Sequence, residues 1–181
     1  MMEINNKNFW GVALLLAVVM SVTRIGHFGE AGGPPDASWA VFFLAGMWLR
    51  SYKLFPAFFA LAWIADLTAF ALGTPTDCYS PAYFFLIPAY AALWFAGSWV
   101  AREDFRPLQF GLAVVGSAAT TFAIANLGMF WLAPPSSAVG IVEYAASVAG
   151  YFPAYLLTMS VYVAGAVALA LALRFKRLAS E

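Results

Sequence analysis

The chain has 181 residues, of which 64% are hydrophobic and only 10% charged, and its mean hydropathy is +0.81. A soluble domain has about 45–50% apolar and about 25% charged residues, so this composition excludes water as the main solvent and predicts an integral membrane protein. Nine Lys and Arg balance nine Asp and Glu without forming a basic patch, which argues against nucleic acid as a partner.

The apolar segments predict one all-α membrane domain, residues 1–181, built as a six-transmembrane-helix bundle. The second helix is short, because about 20 residues are needed to cross about 30 Å of hydrocarbon, so we expect it to borrow flanking residues or lie partly outside the core. The first is interpreted as a retained helix, because no small-residue cleavage site follows it. The six predicted helices cover about 9–24, 38–50, 54–72, 82–101, 108–132 and 144–173.

The positively charged residues predict the orientation. With six crossings, eight of the nine Lys and Arg fall on one side and only Arg24 on the other. The positive-inside rule therefore predicts that the N- and C-termini are cytoplasmic. A substrate arriving from outside would meet the polar groups of the opposite side, which are His27, Glu30, Asp36, Asp77, Cys78 and Glu143.

Two polar residues fall inside predicted helices, near their outer ends. Asp66 lies roughly 20 Å from the cytoplasmic end of the third helix, at about 1.5 Å per residue. An ionisable group at that depth must face a cavity or a partner, because exposure to lipid is costly. The alternative is an interhelical hydrogen bond that only fixes packing. Asn126 on the fifth helix has a similar depth, and the same two interpretations apply.

Four tyrosines form a row on the sixth predicted helix. Tyr144, Tyr151, Tyr155 and Tyr162 are spaced by 7, 4 and 7 residues, which at about 100° per residue puts them close to one line. The row predicts either a ligand wall or a packed aromatic seam whose hydroxyls bind neighbouring helices. Tryptophans near several helix ends, Trp39 among them, fit an interfacial belt.

The only cysteine, Cys78, falls in a short polar loop between Pro75 and Pro81. A lone thiol cannot form an internal disulfide, and one soft ligand cannot build a four-ligand zinc site. It can supply one axial ligand to a metal already held in a macrocycle, such as haem iron or corrin cobalt. The alternative is an inert bystander.

The size, the six helices, His27 and the segment Asp77–Pro81 together resemble the BtuM family. These are small bacterial cobalamin-uptake proteins of the inner membrane, related to the S-components of energy-coupling-factor (ECF) transporters. The resemblance implies a periplasmic pocket that binds cobalamin (vitamin B12) as the transported substrate, with Cys78 as the axial cobalt ligand. It implies further pocket residues, to which we add two tyrosines of the row: His27, Asp66, Tyr79, Tyr83, Tyr151 and Tyr155.

Thiolate coordination suggests a catalytic role for Cys78. Sulfur on one axial face of cobalt(III) displaces the lower base and pushes electron density towards the opposite ligand, so bound cyanide would leave more readily. A thiol with the reference pKa of about 8.5 is a minority thiolate at neutral pH. Metal binding must therefore remove its proton, against the neighbouring charge of Asp77.

S-components dock on a coupling subunit through small residues of helix 1, and Ala13 and Ala17, four residues apart, are the candidates here. No Gly-x-x-x-x-Gly-Lys phosphate loop is present, so we expect no bound nucleotide and either separate ATPases or none. Three alternatives stay open: an S-component-like transporter for another vitamin with Cys78 incidental, a membrane enzyme using Cys78 or Asp66, and a structural subunit.

Overall fold

A computed structural model describes residues 6–27, 33–73, 80–101, 106–132 and 140–178, with side chains at 8–25, 33–73, 80–101, 106–132 and 140–173. Within these ranges the regular structure is helical and contains no strand, which confirms the all-α class. Short 3₁₀ turns at Tyr52–Leu54 and Pro81–Phe85 lead into the third and fourth helices. The described helices are α1 (Asn6–His27), α2 (Ser38–Leu49), α3 (Phe55–Ala71), α4 (Leu86–Val100), α5 (Pro107–Leu132), α6 (Ile141–Ala149) and α7 (Phe152–Leu178).

Five segments of the described chain are long and apolar enough to cross a membrane. Each overlaps one of the predicted helices, and many of their outward-facing side chains are large and apolar, as contact with lipid requires. This pattern fits a multi-pass membrane protein. The five segments are Asn8–Ile25, Tyr52–Ala71, Pro81–Val100, Pro107–Leu132 and Phe152–Leu173.

Helix α2 forms the centre of the bundle. Ten of its twelve residues are buried, as is typical of an apolar helix too short to span a bilayer unaided. Its backbone lies against that of α4, because two glycines remove the side chains that would separate them. A Cβ atom on Gly46 would lie 2.1 Å from the carbonyl oxygen of Trp94, and one on Gly97 would lie 2.0 Å from that of Phe43.

Side-chain contacts show that α2 and α4 run in the same direction. At the start of both helices, Arg24 of α1 reaches Ser38 and Tyr90. At their ends, Arg50 donates from Nη2 to the carbonyl oxygen of Ala101, at 2.9 Å. The C-termini of α1 and α3 therefore share one end of the bundle with the N-termini of α2 and α4.

The structure divides the predicted helix 144–173 into α6 and α7. Pro153 has no N–H to donate to the carbonyl group of Ala149, and its ring would clash there in a continuous helix. The chain turns at Gly150 and Tyr151, and Pro153 instead occupies the first turn of α7. The four tyrosines of the predicted row therefore do not lie on one helix.

A proline also changes the start of the predicted helix 82–101. Pro88 cannot donate to the carbonyl group of Phe84, so the first turns are not a regular α-helix. A 3₁₀ turn from Pro81 to Phe85 precedes α4 instead. This turn packs against α5, where a Cβ atom on Gly128 would lie 2.5 Å from Cβ of Phe85.

The two alanines proposed as a docking site face the protein itself. Ala13 is buried in the core of the bundle, and Ala17 packs against that core. Docking of a coupling subunit on α1 stays a prediction.

Candidate functional site

A buried ion pair joins α1 to α3. It lies at the end of the bundle where α1 and α3 finish and α2 and α4 begin. Arg24 donates from Nε to Oδ1 of Asp66 at 2.6 Å and from Nη2 to Oδ2 at 2.7 Å. Both side chains are almost completely buried, with 7% and 1% exposed. A bidentate guanidinium–carboxylate pair satisfies the fixed geometry of both groups, which is what burial of two charges requires.

The same arginine also binds the start of α2 and α4. Its Nη1 group lies 3.1 Å from Oδ2 of Asp36, 3.0 Å from Oγ of Ser38 and 2.8 Å from the hydroxyl oxygen of Tyr90. Oδ1 of Asp36 in turn accepts hydrogen bonds from the backbone N–H and the hydroxyl of Ser38, at 2.9 and 2.6 Å. Arg24 therefore ties together four parts of the chain.

Tyr83 belongs to the same neighbourhood. It lies in the 3₁₀ turn before α4, its ring centroid is 6.5 Å from that of Trp63, and it interacts with Asp66. Asp66 is thus enclosed by Arg24 on one side and Tyr83 on another.

A cavity of about 530 Å³ lies beside this network, between the N-terminal parts of α2, α4 and α7 and the C-terminal part of α5. Its volume falls in the range of about 300–1,000 Å³ that is typical of small-molecule sites. Its walls are mainly apolar, with a few polar groups. The lining residues are Arg24, Pro35, Asp36, Trp39, Leu86, Tyr90, Phe122, Ala125, Asn126, Met129, Tyr151, Ala154, Tyr155, Thr158 and Met159.

Aromatic rings form one side of the cavity. Trp39 stacks on Tyr155 with ring centroids 5.0 Å apart and planes 23° apart, and Tyr155 also contacts Phe122 at 6.0 Å. Offset stacking of this kind fixes the rings relative to each other. Trp39, which the sequence suggested as part of an interfacial belt, is therefore part of the cavity wall.

A weaker polar contact lies on the side of α6. The hydroxyl of Tyr144 is 3.4 Å from Oδ1 of Asn126, whose Nδ2 donates to the carbonyl oxygen of Phe122 at 2.8 Å. Partial burial raises the pKa of Tyr144, so its hydroxyl keeps the proton that it donates. Asn126 is thus held by α6 while it lines the cavity.

The predicted site residues fall into three groups. Tyr151 and Tyr155 line the cavity, whereas Asp66 and Tyr83 lie beside it around Arg24. Tyr162, lower on α7, donates to the carbonyl oxygen of Pro35 at 2.9 Å. The described residues do not include Cys78, Tyr79 or the side chain of His27. The role of Cys78 as a cobalt ligand therefore stays a prediction.

Sequence reasoning missed the central role of Arg24 and the positions of Asp36 and Tyr90. One signal could have found the ion pair: Arg24 is the only Lys or Arg assigned to the outer side, and Asp66 is the only acid inside a predicted helix at similar depth. Two opposite charges that cannot face lipid must pair. For Tyr90 the sequence holds no comparable signal.

Compared with known proteins, the chain matches no family model and no curated protein. Among the described residues, no three His, Cys, Asp or Glu side chains are grouped so that they could hold a metal ion. Fold and site together define an all-α protein with five membrane-length apolar helices and a small-molecule cavity beside a buried ion pair.

Proposed function

We propose that the chain is the substrate-binding protein of a vitamin-uptake system in the bacterial inner membrane, with cobalamin as its substrate. The observation that carries the proposal is the cavity at one end of a bundle of apolar helices, with aromatic rings and part of the Arg24 polar network in its walls. Small-molecule sites commonly lie between the helices of a bundle, with mainly apolar walls and a few polar groups. The choice of cobalamin comes from the resemblance to the BtuM family.

The proposal includes six membrane crossings, with the cavity on the periplasmic side and both termini in the cytoplasm. We assign the sixth crossing to α2, which is too short to span a bilayer unaided. The assignment follows from its direction, because α2 runs parallel to α4, which is part of a membrane-length segment. Arg24, at the cavity end, is then the only Lys or Arg outside the cytoplasmic side, as the positive-inside rule favours.

The segment that carries Cys78 is continuous with the wall of the cavity. The described chain resumes at Ser80, two residues after Cys78, and the 3₁₀ turn that follows leads directly to Leu86, a lining residue. For Cys78 to bind cobalt, this segment would have to reach the metal of a corrinoid held in the cavity. Cys78 would then bind cobalt and promote loss of cyanide from the opposite face.

Absorbance spectroscopy tests the cobalt ligand. Cobalt corrin spectra respond to axial ligation, so the wild-type protein should shift the spectrum of bound cobalamin, and Cys78→Ser should abolish that shift because a neutral hydroxyl is a much poorer ligand than thiolate. Ser80→Ala, which alters a hydroxyl in the same segment, is the matched control and should keep the shift. Cyanide release should disappear with Cys78→Ser.

Cobalamin-dependent growth of an uptake-deficient strain is the second readout. If Cys78→Ser supports growth as well as the wild type and gives the same bound spectrum, Cys78 is a bystander. If the purified wild type binds no cobalamin at all, the substrate is a different molecule.

A further inference from the structure

The end of the bundle that holds the cavity is acidic. Among the described side chains, Arg24 is the one Lys or Arg at this end, and Asp36, Asp66 and Glu143 are its acids. The other described Lys and Arg side chains, Arg50, Lys53 and Arg106, lie at the helix ends of the opposite side.

The local charge balance of the polar network leaves one carboxylate without full compensation. Arg24 is committed to Asp66 through two short hydrogen bonds and reaches Asp36 only through Nη1, at 3.1 Å. The network therefore combines one positive with two negative formal charges. Asp36 and Arg24 both line the cavity, whereas Asp66 does not. The Asp36 side chain is the more exposed of the two, with 23% exposed against 7% for Arg24. A cation that enters the cavity would meet this carboxylate, whose counter-ion Arg24 is shared with Asp66.

Aromatic side chains make up part of the remaining wall. Trp39, Tyr155 and Phe122 line the cavity, and the stack of Trp39 on Tyr155 fixes two of these rings. The face of an aromatic ring carries partial negative charge and attracts cations, most strongly for tryptophan. One carboxylate beside several such rings is the chemistry that recognises an organic cation.

We infer that the cavity binds an organic cation, either a flat cationic ring system or a quaternary ammonium group. Asp36 is its counter-ion, and Trp39 with Tyr155 is its aromatic wall. The inference rests on the proposed function in one respect, which is that this cavity is the substrate site. It adds that the group entering the cavity is positively charged.

Two small probes test the inference, each a benzene ring with one charged substituent, and the two charges are opposite. Isothermal titration of the full chain in an uncharged detergent should detect binding of phenyltrimethylammonium and little or no binding of benzoate. Asp36→Asn should weaken phenyltrimethylammonium binding by about tenfold or more, because it removes an attraction that acts over a few ångströms at reduced dielectric. The variant keeps an oxygen that can accept from Ser38, and the Arg24–Asp66 pair stays neutral.

Trp39→Leu is a second variant that leaves the charges unchanged. It should weaken phenyltrimethylammonium binding by about threefold to thirtyfold, the contribution expected of one cation–aromatic contact. Glu143→Gln is the matched control, because it removes one exposed acid from α6 outside the cavity wall. That variant should bind as the wild type does.

The inference is overturned if the wild type binds benzoate as tightly as phenyltrimethylammonium, or if Asp36→Asn and Glu143→Gln have equal effects. A separate titration with cobalamin distinguishes it from the proposed function. Charge-selective probe binding without cobalamin binding would refute the cobalamin assignment alone. Cobalamin binding without charge selectivity would refute the organic-cation inference alone.

Discussion

At the scale of single residues, the most constrained group is the guanidinium of Arg24. It is buried with 7% of its side chain exposed, and its partners come from α3, α4 and the start of α2. Replacing such a pair by apolar groups is often neutral or stabilising, whereas removing one partner leaves a buried charge. The pair therefore fixes the helix ends relative to each other. Loss of either side chain leaves the other charge buried without its partner.

We expect Asp66→Asn to lower the free energy of unfolding by about 3–5 kcal/mol, because it leaves Arg24 buried with only the Asp36 carboxylate. A denaturant titration in detergent micelles measures this loss. The double variant Arg24→Met with Asp66→Leu should recover part of it, since both charges of the buried pair are then absent and only the more exposed Asp36 loses its partner. Glu143→Gln removes an exposed acid and should change stability little. Equal stability of Asp66→Asn and Glu143→Gln would contradict the role given to the ion pair.

At the scale of helices, the contact of α2 with α4 depends on two glycines. The carbonyl groups of Trp94 and Phe43 occupy the positions where side chains at Gly46 and Gly97 would begin. Small residues allow helices in membranes to approach closely, and the gain comes from packing rather than from the hydrophobic effect. Because α2 carries Asp36 and Trp39 at or near its start, this contact also positions two walls of the cavity.

Gly46→Ala and Gly97→Ala should each destabilise the protein by at least about 1–3 kcal/mol, the usual cost of overpacking, since backbone atoms cannot move aside easily. Gly116→Ala and Gly165→Ala are the matched controls, because a Cβ atom at either position meets nothing within 4 Å. They should be neutral or slightly stabilising, as alanine favours helices. Thermal unfolding followed by size-exclusion chromatography compares the four variants, and similar midpoints for all of them would refute the close approach.

At the scale of the whole molecule, the two ends of the bundle differ in charge. Of the described Lys and Arg side chains, Arg24 lies at the cavity end and Arg50, Lys53 and Arg106 lie at the other. Such an asymmetry favours one orientation in a membrane, and it makes the cavity end the more attractive one to cations.

A reporter fused after Glu181 should be active only in a cytoplasmic form, because six crossings return the chain to the side of the Lys and Arg residues. A membrane-impermeant thiol reagent should label Cys78 in intact spheroplasts, and excess cobalamin should block the labelling. A cysteine introduced at Lys53 in a Cys78→Ser background is the control and should be labelled only after lysis. A periplasmic C-terminus would refute the six-crossing topology.

The sequence by itself determined the helical class, five of the membrane-length segments and the charge asymmetry, because these depend on composition and on the order of residues. Helix ends were predicted less well, since Pro88 and Pro153 change the local hydrogen bonding in ways that hydropathy does not register. The row of tyrosines was correct in sequence spacing, but it assumed one continuous helix that Pro153 prevents.

Only the tertiary structure decided what the polar residues contact. Asp66 fitted both a cavity and a partner helix in the sequence, and its pairing with Arg24 depends on how α1 and α3 pack over 42 residues of separation. Asp36 and Trp39 seemed to be loop and interface residues, yet the position of α2 puts them on the cavity wall. A side chain's chemistry is fixed by its type, but its partners are fixed by which helices meet, and long-range packing sets that.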